Sequence, residues 1–258
     1  YDVAIDAMRE KLASFRCERI GDAELYLADC RDVRIERRKG LSALLTDPPY
    51  SSGGFQETGK VSGSIGTRDN QTIALDNLST RGYLRLIGEV CRRFRWAEEA
   101  YIFTDWKMWT HTTDALEEGG FRVRNMLVWD KEQMGMGMPW RNQHELIAFG
   151  KRNSASLMSG KFGNVLRHPR TGNVNHPTEK PVGIISALIE NSESECFIDP
   201  FMGSGSTGVA AIQRGRKFIG MEIDPRHYET ALKRIQEACD TPRLFKDEPP
   251  KPKQETLI

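Results

Sequence analysis

Two short segments carry residue types that could do chemistry together. The first is Asp47-Pro48-Pro49-Tyr50, which follows the apolar run Leu41 to Thr46. Prolines stiffen a turn and remove backbone donors, so the carbonyls left behind can only accept. A flat base bearing an amine offers two N–H groups. The Asp47 carboxylate and the Pro48 carbonyl can accept both, which turns the nitrogen lone pair outward toward an electrophile. Tyr50 can stack on the ring, as aromatic side chains do against a nucleotide taken out of a helix. Neither a metal nor a covalent intermediate is required, because orientation and local electrostatics supply the rate.

The second segment is Asp199-Pro200-Phe201-Met202-Gly203-Ser204-Gly205-Ser206-Thr207. Gly203, Gly205 and Gly208 form a GxGxxG turn between the strand-like Cys196–Asp199 and a helix-like run. Glu222 lies about 20 positions further on, at the end of the next strand, where an acid can accept from ribose hydroxyls. Taken alone this pattern reads as a dinucleotide site, and choosing between a dinucleotide and another nucleoside-bearing cofactor needs the other motif.

The elements that must position these segments alternate strand and helix. Strands are expected at Ala23–Ala28, Leu41–Thr46, Ala100–Thr104, Phe121–Trp129, Glu145–Phe149, Cys196–Asp199 and Lys217–Glu222. Helices are expected at about 2–15, 78–95, 105–118, 181–191, 206–214 and 225–238, the last with proline in its first turn. This alternation predicts an α/β fold with a mostly parallel sheet. Nothing but a tail follows the helix after Glu222, so the neighbouring strand of the sheet must come from the N-terminal side, and Ala23–Ala28 supplies it. Residues 51–76 are rich in Gly, Ser and Thr, a length of connection that is usually functional or disordered. Met134 to Met138 reads as a loop. One catalytic domain is expected over 1–240, with a proline-rich disordered tail over 241–258.

Composition sets the bounds. The chain of 258 residues is 38% hydrophobic and 28% charged, and no segment approaches the roughly 18 apolar residues a membrane span needs. The charged segment Tyr1 to Arg16 has no signal-peptide core, so a cytoplasmic protein is expected. The five cysteines are widely separated, which reads as reduced thiols without a metal knuckle. The net charge of +1 draws no polyanion over long distance. Local clusters differ: Lys151, Arg152, Lys161, Arg167 and Arg170 lie in an irregular stretch expected to contact phosphates, while Arg81, Arg85, Arg92, Arg93 and Arg95 suit a solvated helix face as well as a binding one.

In these motifs and their order the chain closely resembles the DNA amino-methyltransferases that methylate adenine or cytosine amines, in the permuted beta group where the catalytic motif precedes the cofactor motif. The resemblance covers roughly residues 20 to 240. It implies a Rossmann-like S-adenosylmethionine-dependent methyltransferase fold with a seven-stranded, mostly parallel sheet containing one antiparallel strand. It also implies S-adenosylmethionine as methyl donor. Asp47, Pro48, Pro49 and Tyr50 match the catalytic motif. Asp199, Pro200, Phe201, Gly203, Ser204, Gly205, Ser206 and Thr207 match the turn around the methionine end of the cofactor, and Glu222 matches the ribose acid. Asp29 resembles the acid at the cofactor adenine, although the usual Gly-Asp is Ala-Asp here. His176, Thr178 and Lys180, in His176-Pro177-Thr178-Glu179-Lys180-Pro181, resemble the segment that closes over the cofactor. Thr46 and Asp47 complete the expected cofactor contacts.

The implied reaction is N6 methylation of a flipped adenine in double-stranded DNA. N4-cytosine methylation, an RNA substrate and a non-catalytic nucleic-acid-binding subunit are the alternatives. The loops at 51–76 and 151–175 are the segments expected to face DNA, with Asn142, Gln143, Asn153, Asn164 and Asn173 as candidates for base-edge contacts. Both loops are short, so a short or loosely read site is expected unless the protein forms a homodimer. Thr241-Pro242-Arg243-Leu244-Phe245 could dock a partner or pack back on the domain. Restriction-modification, phage and solitary regulatory roles all fit these residues.

Overall fold

The computed structural model describes residues 15–49, 79–135, 139–152, 163–170 and 180–241. Of the expected helix over 2–15 and the expected tail over 241–258 only Phe15 and Thr241 are described, and the 51–76 loop, Tyr50, His176, Thr178, Lys161, Asn153 and Asn173 lie outside the described residues.

Among the described residues, nine strands form one sheet in the order β1-β2-β9-β8-β3-β4-β6-β5-β7. They are β1 (Arg16–Ile20), β2 (Ala23–Leu27), β3 (Ser42–Thr46), β4 (Glu99–Thr104), β5 (Arg122–Asp130), β6 (His144–Lys151), β7 (Val165–Arg167), β8 (Cys196–Asp199) and β9 (Lys217–Glu222). The helices are α1 (Thr80–Arg93), α2 (Trp109–Glu118), α3 (Val182–Glu190), α4 (Ser206–Gln213) and α5 (Pro225–Asp240). The strand β2 pairs parallel with β9, Ala23 opposite Phe218, so the N-terminal strand fills the predicted place. Within the seven expected strands β6 alone runs antiparallel, against both β4 and β5. Two further strands correct the expected count. The hairpin strand β1 extends one edge, and the three-residue β7 extends the other, inside a stretch expected to be irregular.

The central strand β3, SALLT, is buried along its whole length, as a strand covered on both faces must be. Alternation sends Leu45 to one face and Leu44 to the other. Leu45 joins Ile185, Val209 and Tyr228 from α3, α4 and α5. Leu44 joins Tyr83, Ile87 and Leu116 from α1 and α2. The sheet is thus a layer between two helical layers. Ser79 caps α1 by accepting from Gly82 N at 3.1 Å, and Asp224 caps α5 by accepting from Arg226 N at 2.8 Å.

The chain leaves β8 toward the α3–α5 face, where α4 packs, and the next helix after β3 packs on the opposite face. The two strands are parallel neighbours. The carboxyl ends of adjacent parallel strands whose following helices pack on opposite faces are the usual ligand position in such sheets, where a crevice forms. Both motifs lie there. Among the described residues, no helix is long and apolar enough to cross a membrane, and all five cysteines are free thiols.

Candidate active site

Asp199 joins the two motifs. Its Oδ1 accepts from Thr46 Oγ1 at 2.6 Å and from Phe201 N at 3.1 Å, and its Oδ2 accepts from Thr207 Oγ1 at 2.7 Å. One buried carboxylate therefore ties the end of β3 to the turn after β8 and to the first turn of α4. Burial pushes this carboxyl up to about 6, against the pull of those three donors. Thr46 and Thr207, expected at the cofactor, spend their hydroxyls on this bracket.

The glycines of the turn have distinct duties. Gly205 has φ +83°, and a Cβ there would lie 2.9 Å from the Ala231 Cβ of α5. At Gly208 a Cβ would lie 2.4 Å from Ile235 Cδ1 and 2.8 Å from Phe218 Cε1. These two glycines let α4 and its turn approach α5 and the sheet. Gly203 has φ +51°, and a Cβ there would meet nothing within 4 Å. Gly203 alone of the three borders open space. Its N–H donates to Glu222 Oε2 at 2.9 Å, while Glu222 Oε1 accepts from Ile223 N and Asp224 N at 2.9 and 2.8 Å. Burial raises the Glu222 carboxyl, and these backbone donors and His227 oppose the rise. Arg234 from α5 donates to the Ser204 carbonyl at 2.8 Å and to Ser204 Oγ at 2.9 Å, and reaches Ser206 Oγ.

Asp29 follows β2 at the same edge. Arg31 engages both of its oxygens, with Nη2 2.6 Å from Oδ2, and holds the carboxyl below the usual range. Ala28 N donates to Glu222 O at 2.8 Å, so Asp29 and Glu222 are neighbours.

Asp47 emerges from β3 beside this turn. Its Oδ2 accepts from Lys180 Nζ at 2.5 Å. Its Oδ1 is buried and has no hydrogen-bond partner among the described residues. Burial raises the carboxyl, while Lys180 works in the opposite direction. Lys180 thus sits on the Asp47 carboxylate and, at 3.3 Å, on Glu145 at the head of β6. Glu145 and Lys131, 2.5 Å apart, were not among the sequence candidates. The available signal was an acid opening an otherwise apolar strand, and nothing in the spacing linked it to Asp47.

Two predicted phosphate contacts are corrected. Lys151 closes the antiparallel β6, which carries it to the opposite edge of the sheet. There it is buried, 3.1 Å from Glu99 and 3.9 Å from Glu193. Arg152 donates to the Arg95 and Gly119 carbonyls and covers the Phe121 ring at the same far edge. Arg167 lies at the end of β7 opposite Asp130, on the catalytic side, and is well exposed. Arg170 lies on that side too, beside Gly135.

The fold and site define an α/β protein with a half-partnered carboxylate beside an open glycine turn. The model of the DNA methylase family matches residues 41–233, and the chain belongs to that family. It is 30% identical over 195 residues to the putative methylase YubD of Escherichia coli (strain K12), spanning 74% of this chain and 80% of that protein. It is 39% identical over 105 residues to the DNA adenine methyltransferase YhdJ of the same organism, spanning 38% and 36%. Among solved structures, the M1.HpyAVI–SAM complex superposes with a TM-score of 0.60 at 22% identity, over 82% of this chain and 98% of that one. The cytosine-N4-specific PvuII DNA methyltransferase superposes with a TM-score of 0.63 at 14% identity, over 83% and 86%.

Proposed function

We propose that this chain methylates the N6 amine of adenine in DNA, with S-adenosylmethionine as donor. The observation that carries the reading is the free, buried Asp47 Oδ1 beside the crevice. A buried carboxylate oxygen without a donor is costly, and the amine of a bound base would satisfy it. Asp47 and the Pro48 carbonyl accept the two amine hydrogens and leave the nitrogen lone pair directed at the methyl donor. Tyr50 stacks on the flipped ring.

The residues present suit the donor. When bound, S-adenosylmethionine supplies a methyl group activated by a positive sulfur. The open side of Gly203 leaves room for its methionine end, Glu222 accepts from its ribose, and Asp29 lies toward its adenine. Ser204, Ser206 and Phe201 border the same turn, and His176 and Thr178 belong to the segment expected to close over it. Arg167 and Arg170 contact the duplex backbone.

In the family the chain resembles, Asp-Pro-Pro-Tyr is more often seen in the adenine enzymes and Ser-Pro-Pro-Tyr in the N4-cytosine ones, and this form together with the likeness to YhdJ favours adenine. The fold shared with a cytosine-N4 enzyme keeps N4-cytosine as the second reading, since the same acceptors suit either amine. Incubation with unmethylated DNA and S-adenosylmethionine, digestion to nucleosides and mass analysis decides between them. N6-methyladenine is expected, N4-methylcytosine would replace the base, and no methylated nucleoside would overturn the proposal.

A further inference from the structure

The reaction asks one carboxylate to accept an amine, yet that carboxylate, itself 24% exposed, heads a largely buried chain of four charges of alternating sign. Lys180 Nζ lies 2.5 Å from Asp47 Oδ2 and 3.3 Å from Glu145 Oε2, and Lys131 Nζ lies 2.5 Å from Glu145 Oε1. The four groups come from the end of β3, the approach to α3, the head of β6 and the end of β5. Aromatic rings flank both ammonium groups: Phe103 is 5.3 Å from Lys180 and Trp129 is 5.0 Å from Lys131. Side-chain exposure is 8% for Lys180, 10% for Lys131 and 17% for Glu145. A solvated ion pair of this kind would contribute little, whereas a buried one dominates the charge state of its members.

We propose that Lys180 and Glu145 are positioning residues for Asp47: Lys180, held from its other side by Glu145, occupies Oδ2 and leaves Oδ1 for the target amine, and the pair sets how readily the carboxylate takes a proton. The inference rests on the reading of Asp47 as the acceptor of the target amine.

Lys180 and Glu145 act on Asp47 in opposite senses. Lys180 favours the ionised carboxylate, and Lys131 adds to this from further away. Glu145 disfavours it, and Asp199 faces Asp47 from the β8 side with the same sign. Asp105, at the end of β4, and Arg170 act on the chain one step removed, through Glu145 and Lys131. Neutralising Lys180 therefore makes Asp47 easier to protonate, and neutralising Glu145 makes it harder. A side chain that merely filled space would move neither.

The test is a carbon-13 NMR titration of the aspartate carboxyls in the ligand-free protein, with the Asp47 signal assigned by its loss in Asp47→Asn. In Lys180→Gln the Asp47 midpoint should rise by at least about one pH unit, a tenfold change in proton affinity. In Glu145→Gln it should fall. The acid limb of kcat for DNA methylation should move in the same two directions while KM for DNA holds. If Lys180→Gln does not fold, Lys131→Gln should raise the midpoint against the fall in Glu145→Gln. Midpoints that stay fixed, or that move in one common direction, overturn the inference. Lack of methylation by the wild-type protein would instead overturn the proposed function, and the two failures are read from different measurements.

Discussion

Gly203 and Gly205 stand two residues apart, both with positive φ, yet alanine should injure them differently. Alanine at either position meets the left-handed penalty of about 1–2 kcal/mol. At Gly205 the new Cβ also lies 2.9 Å from Ala231 Cβ and 3.0 Å from its Cα, against helix backbone that cannot swing aside. Overpacking of that kind adds about 1–3 kcal/mol. Gly205→Ala should therefore lose about 2–5 kcal/mol, which at about 2–4 °C per kcal/mol lowers Tm by roughly 4–20 °C. Gly203→Ala should lose only the backbone component, roughly 2–8 °C. Its Cβ enters the space assigned to the methionine end of the donor, so affinity should fall at least about tenfold, or 1.4 kcal/mol. Thermal unfolding by circular dichroism and calorimetric titration with S-adenosylmethionine separate the two. Wild-type affinity in Gly203→Ala, or wild-type stability in Gly205→Ala, would refute this division of labour.

The remaining expectations concern the carboxylates. Asp47→Asn should cut kcat for methylation by about 10²–10³-fold and leave donor affinity near wild type, as read by single-turnover kinetics and calorimetry. Glu222→Ala should weaken donor binding and also cost stability, since it orphans the N–H groups of Gly203, Ile223 and Asp224; equilibrium binding and urea unfolding report the two effects. Asp199 is raised from 3.8 to about 6 in the fold. Its contribution to stability is complete below pH 3.8 and is lost as pH rises through 6, about 3 kcal/mol in all. Urea unfolding between pH 4 and 7 should show that loss in the wild type and lack it in Asp199→Asn.

The parallel strands were legible because they are short apolar runs ending on an acid or beside a glycine turn. β1 was not, since Arg16, Glu18 and Arg19 on an exposed edge strand carry no burial signal. β7 has three residues and is held by its pairing with β5 rather than by pattern. The two motifs of the site could be read because each is contiguous in the chain. The Lys180–Glu145–Lys131 chain could not, because it forms only when antiparallel β6 brings its first residues alongside the last of β4 and β5. The same reversal explains the misplaced Lys151 and Arg152. A local count of basic residues does not reveal which end of a strand they occupy.

The seven central strands present carboxylates along one edge: Asp29, Glu222, Asp199, Asp47, Asp105, Glu145 and Asp130. Arg31, Lys180 and Lys131 pair with Asp29, Asp47 and Glu145. Among the described residues, the direct hydrogen-bond donors to Glu222 and Asp199 are neutral groups, so negative charge gathers at the ends of β8 and β9. On the proposed function, a duplex approaching this face would meet repulsion where it comes closest, and a cationic donor seated there would cancel that charge. Donor before nucleic acid is then the order of arrival that the field of the sheet edge favours, with no moving part needed.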